Sequence, residues 1–208
     1  MWNSARFLHA THLTTLLTTM QRLNQFLLFS MLCCIFFWQP NARAGNIDVT
    51  VAHIETSDEG YRLVASFSFD LSHELENMIT RGIPLYFVTE VAISRPRWYW
   101  LDEKAVNISQ SVRISYNVLT RQYRASINGS FAQNFQDLDE ALSLIRRPSR
   151  WVVAEKSALT AGATYNVAIQ TRLDTSQLPK PFQFNALNNS EWRLSSDWKR
   201  FTFKADEK

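Results

Sequence analysis

His53 and His73 are the histidines that remain beyond residue 44, and imidazole is the side chain best suited to acid–base work near neutral pH. His73-Glu74-Leu75-Glu76-Asn77 opens like the zinc-protease helix signature, which needs a second histidine one turn on so that both rings face the metal. Asn77 stands at that place, so His73 and Glu74 read as first-turn residues near the positive end of a helix dipole. His53 shares the parity of Val49 and Val51, which predicts a half-buried packing residue at the end of a strand. No Gly-x-Ser-x-Gly elbow offers a nucleophilic serine, and no glycine-rich phosphate loop occurs. Asp137-Leu138-Asp139-Glu140 starts like a calcium loop but lacks its glycine, so helix capping is the better account. No cofactor and no metal are expected. A small hydrolase using His53 or His73, with acids brought close by folding, stays as one alternative function.

The most distinctive binding chemistry lies in Arg95-Pro96-Arg97-Trp98-Tyr99-Trp100, with a loose echo in Arg147-Pro148-Ser149-Arg150-Trp151. Guanidinium over indole is a favourable stack worth about 0.5–2 kcal/mol, and arginine beside aromatic faces suits a protein partner, a peptide or a sugar ring. Arg95, Arg97, Trp98, Tyr99, Trp100, Arg150 and Trp151 are thus the candidate binding edge. The competing expectation is structural, with the tryptophans capping the core and the arginines covering them. Leu178-Pro179-Lys180-Pro181-Phe182 reads as a rigid extended loop, since both prolines oppose a helix there.

Met20 to Ala44 reads as a secretory signal peptide, with Gln21-Arg22 as a basic start, an apolar run from Phe26 to Trp38, and Ala42-Arg43-Ala44 as the cleavage site. Residues 1 to 19 would overextend the basic region, so Met20 is the expected start and Gly45 the expected mature N-terminus. Cleavage would give a periplasmic protein with no stable membrane insertion, because the apolar run is short of a span. Both cysteines, Cys33 and Cys34, lie in this leader. Arg6, Arg22 and Arg43 all lie before Gly45, and no acid does; the remainder carries 19 basic and 19 acidic residues. The bulk argument for nucleic acid or an anionic surface disappears with the leader, although local patches remain open.

Residues 45–208 read as a single domain of ordinary size. Tyr61, Leu63, Ala65, Phe67, Phe69 and Leu71 alternate with polar residues, the period of a strand with one buried face. Ile47, Val49 and Val51 precede them across an Asp58-Glu59-Gly60 turn, which predicts a hairpin. Ser72 caps a short helix through Leu75, Met78 and Ile79 that stops at Gly82. Leu85 to Ile93 is a long strand that Pro96 must end, bulge or confine to an edge, and Ile108 to Val118 pairs with Tyr123 to Ile127. Asp137 with Glu140 makes a capping-box start for a second helix, and Tyr165–Leu173 and Phe201–Phe203 supply the last strands. The fold class is mainly β: an antiparallel β-sandwich or partly closed barrel of about seven to eight strands with two short helices. Nothing in the pattern sets an oligomeric state.

Gly82-Ile83-Pro84-Leu85, Arg95 to Trp100, Ile114-Ser115-Tyr116-Asn117 with Thr120 to Arg124, and Leu178 to Phe182 resemble the bacterial family DUF4390, over most of Gly45 to Phe203. The resemblance implies an exported, non-lipidated product, often encoded near a nitrogen-type two-component sensor kinase, and it carries no catalytic residues. The leading expectation is therefore a periplasmic, non-enzymatic binding or accessory domain with a protein partner in the cell envelope and no nucleic acid. A peptidoglycan-binding module stacking sugars on Trp98, Tyr99 and Trp100 is the alternative.

Overall fold

The computed structural model describes residues 46–97, 103–189 and 192–206. The leader and the Trp98-Tyr99-Trp100 segment lie outside the described residues. In chain order the elements are β1 (Asp48–Ser57), β2 (Gly60–Ser68), α1 (His73–Thr80), β3 (Leu85–Arg95), β4 (Glu103–Asn117), β5 (Gln122–Ile127) and β6 (Gln133–Phe135). They continue with α2 (Leu138–Arg146), β7 (Val152–Ala154), β8 (Thr164–Leu173), α3 (Lys180–Asn188) and β9 (Lys199–Lys204).

The strands form two antiparallel sheets and no closed barrel, which resolves the expected fold class in favour of a sandwich. One sheet has the order β1-β2-β7, the other β6-β5-β4-β3-β8-β9. On β3 the inward Leu85, Phe87, Thr89, Val91 and Ile93 are all buried, whereas the outward Tyr86, Val88, Glu90, Ala92 and Ser94 are half-buried. This alternation follows from covering one face only. The cover is the small sheet with the two leading helices: Tyr61 meets Phe203 edge-on at 5.2 Å, Phe69 stacks on Phe87 at 5.7 Å, and α2 packs against β2, β4, β5 and β6. Leu194–Ser196 join the two layers, since Ile47 N–H donates to Ser195 O while Leu173 N–H donates to Leu194 O.

The helices are too short to stand alone and are held by what they bury. α1 buries Leu75, Met78 and Ile79, each worth about 1.5–3 kcal/mol when fully removed from water. Its end is a Schellman cap: Gly82, at φ +82°, donates to Ile79 O, and Ile83 donates to Met78 O. Ser72 Oγ accepts from Leu75 N–H at 3.4 Å as the expected N-cap. α2 begins at Asp137 as expected, but the Asp137 side chain makes no capping hydrogen bond, so the capping box is not formed. Its Arg146 instead ties the helix to β2, donating to Phe69 O at 2.9 Å and lying 5.3 Å over the Phe69 ring.

Three expectations are corrected. A bulge between Val49 and Val51 switches the parity of β1, so Val51 and His53 turn outward while Ile54 becomes the buried residue. His53 is thus an exposed side chain, 3.1 Å from Glu55, and does not pack in the core. The Pro179–Pro181 segment opens a third helix: Pro179 is its N-cap and Pro181 sits in the first turn, where a missing N–H costs nothing. Val118 does not continue β4; Asn117 Oδ1 accepts from Leu119 and Thr120 N–H, which starts the turn and leaves Val118 exposed.

Burial is the main cause that raises the pKa of Tyr61 and Tyr123 above the ordinary tyrosine value, reinforced by Asp206 and Tyr165 at the first and by Tyr116, Glu76 and Asp137 at the second. The unfolded chain gives up these protons first, so their contribution to stability is complete below about pH 10 and is lost as pH rises through the folded values. Urea midpoints should therefore fall above about pH 10, and less steeply for Tyr61→Phe. Parallel curves for the two proteins would remove Tyr61 as a source.

Candidate functional site

Of the predicted binding edge, the structure describes Arg95, Arg97, Arg150 and Trp151. Arg95 and Arg97 are exposed at the end of β3, where Arg95 still pairs with Glu103 of β4 and Arg97 is ion-paired with the Glu103 side chain. Trp98, Tyr99 and Trp100, which carry both the stacking and the glycan-platform expectations, fall outside the described residues. Arg150 is exposed, but Trp151 is only 7% exposed and belongs to the core, with its backbone oxygen accepting from Leu63 N–H at 3.0 Å. That burial leaves the Trp151 ring no face to offer a partner, and it corrects its place in the binding edge.

The two histidines sit on different elements. His53 lies on the β1–β2 hairpin beside Glu55, whose other carboxylate oxygen is 3.7 Å from Arg62, while His73 is the exposed first residue of α1. Among the described residues no three His, Cys, Asp or Glu side chains gather where a metal ion would fit. No described helix is long and apolar enough to cross a membrane.

What the structure does assemble is the outward face of the six-stranded sheet. Strand register lines its residues up in rows: Ser126, Arg113 and Tyr86; then Ser111, Val88 and Arg172; then Ser109, Glu90 and Gln170. Further along come Asn107, Ala92, Ala168 and Arg200, then Lys104, Ser94, Asn166 and Thr202, and finally Thr164 with Lys204. Most side chains here are short, hydroxylated or amide-bearing. Where Ala92 faces Ala168, two methyl groups floor a depression of about 400 Å³, walled by Ser94, Asn166, Arg200 and Thr202.

Charge on this face is one-sided. Lys104, Arg113, Arg124, Arg172, Arg200 and Lys204 occupy outward strand positions, against Glu90 as the carboxylate among the described strand residues of that face. Glu90 is itself met by Arg172 at 2.9 Å, and Asp174 approaches the same guanidinium at 3.9 Å. The covering layer has the reverse sign: between Asp48 and Arg81 and between Asp137 and Arg147 there are ten carboxylates and four cations. Among the described residues charge is thus sorted between two sides of the sandwich, basic on the outward sheet face and acidic on the β1–β2 hairpin, α1 and α2.

None of these face residues stood out in the sequence as a group. Each is the polar half of a strand alternation, and only the register shows that Arg113, Arg172 and Arg200, from three strands, share one surface.

Fold and site together define a two-sheet antiparallel β-sandwich with a cationic, solvent-facing sheet. The chain belongs to the family DUF4390, domain of unknown function, whose model matches residues 44–202. No curated protein and no solved structure matches it.

Proposed function

We propose that this DUF4390 member is an exported, non-enzymatic binding domain of the periplasm that serves as an accessory to another envelope component. It recognises a protein partner through the outward face of the six-stranded sheet, and the sensory region of a two-component sensor kinase is the candidate the family resemblance implies. The observation that carries this reading is this sorting of charge, which gives one face a field able to orient and capture a partner of opposite sign. The leader-like stretch from Met20 to Ala44 supports export.

A photo-crosslinking amino acid placed at Ser109, exposed on that face, tests the reading in cells that carry the full chain. A discrete protein adduct from Ser109, absent when the same group replaces Glu59 on the acidic hairpin, is the expected result. Mass spectrometry of the exported domain itself should find its N-terminus at Gly45. No adduct from Ser109, or equal adducts from both positions, would overturn the partner-binding role.

A further inference from the structure

We infer that the outward sheet face receives an acidic segment of its partner protein, with one carboxylate side chain seated in the Ala92–Ala168 depression beside Arg200; this rests on the reading that the face binds a protein. Arg200 stands on the edge strand, in register with Ala168, and lines the hollow. A planar guanidinium offers paired N–H donors that match a carboxylate fork, and among the described residues no acid is ion-paired with Arg200 or Lys104. Thr202 lines the same hollow with a hydroxyl that suits a hydrogen bond to the bound segment. Arg172, Arg113 and Arg124 step away from Arg200 through successive rows on β8, β4 and β5, so a segment lying diagonally over the face meets further positive charge.

Two other occupants fit this face less well. Sugar rings favour an aromatic platform, and Tyr86 is the aromatic residue at the outward positions of these strands; Arg113 already lies 6.0 Å over its ring. A membrane surface favours apolar anchors beside the cations, but the most exposed large apolar side chains, Leu119, Phe131 and Phe184, sit in turns and on α3 rather than on the sheet face.

The test extends the Ser109 crosslink. The peptide captured from the partner should carry an excess of Asp and Glu, and Arg200→Glu should reduce the adduct about tenfold or more, whereas Lys180→Glu, on α3 away from the strands, should leave it unchanged. Ala168→Leu, which fills the depression, should weaken a synthetic copy of the captured segment about fivefold, and replacing that segment's Glu by Gln should weaken it further. Arg200 is exposed on an edge strand, so melting temperature is expected to hold in Arg200→Glu and confirms that the variant is folded. A neutral or basic captured peptide, or an adduct indifferent to Arg200→Glu, overturns this inference and leaves the protein-binding role standing. A lipid or glycan adduct overturns both.

Discussion

Gly60→Ala is expected to cost about 3 kcal/mol or more, lowering the melting temperature of a domain this size by about 10 °C. Two causes add at this position. The backbone of Gly60 sits at φ +144°, a region that side chains with a Cβ scarcely enter. A Cβ built there would also run into the backbone oxygen of Ala154 and lie 3.2 Å from Glu155 Cα, so β7 would have to move off β2. Backbone cannot swing aside as a flexible side chain can. Gly129→Ala separates the causes, because Gly129 has φ +73° and nothing within 4 Å of the added atom. It should show about 1 kcal/mol of backbone strain alone. Equal melting temperatures for the two variants would mean that β7 does not depend on the close approach.

The same glycine shows what the sequence could and could not disclose. Asp58-Glu59-Gly60 predicts a hairpin, and the hairpin is there, with Ser57 paired to Gly60. Yet the residue that demands glycine is set by β7, more than ninety positions away, which no local pattern contains. Alternation was legible wherever one face is covered and the other is not, as in β2, β3 and β8. It failed at β1, where one bulged residue turned Val51 and His53 to solvent. Pro179 and Pro181 read as helix breakers because their position in a first turn depends on where the helix begins. β6 and β7 have three residues each, too few to show a period. The cationic face is the clearest case: its arginines were visible as polar strand residues, but their assembly is a property of register across β5, β4, β3, β8 and β9.

Trp151→Ala is expected to cost about 3–5 kcal/mol, while Arg95→Ala and Arg97→Ala should each stay within about 0.5–1 kcal/mol of the parent. By sequence the two arginine–tryptophan segments are variations on one theme. The backbone makes them different. Pro96 ends β3 and carries Arg97 out to an exposed ion pair with Glu103, which at a surface contributes little. Arg150 instead takes φ +55°, a left-handed turn that aims the next residue back toward the sheets, so that Trp151 is buried and its carbonyl binds Leu63 N–H as β7 begins. Removing the indole opens a large cavity beside the short β2–β7 pairing. Urea unfolding of the three variants decides the matter. If Trp151→Ala were as stable as the arginine variants, the ring would be free of the core and available to a partner; if it is the least stable, Trp151 serves the core and the likeness of the two segments ends at the backbone.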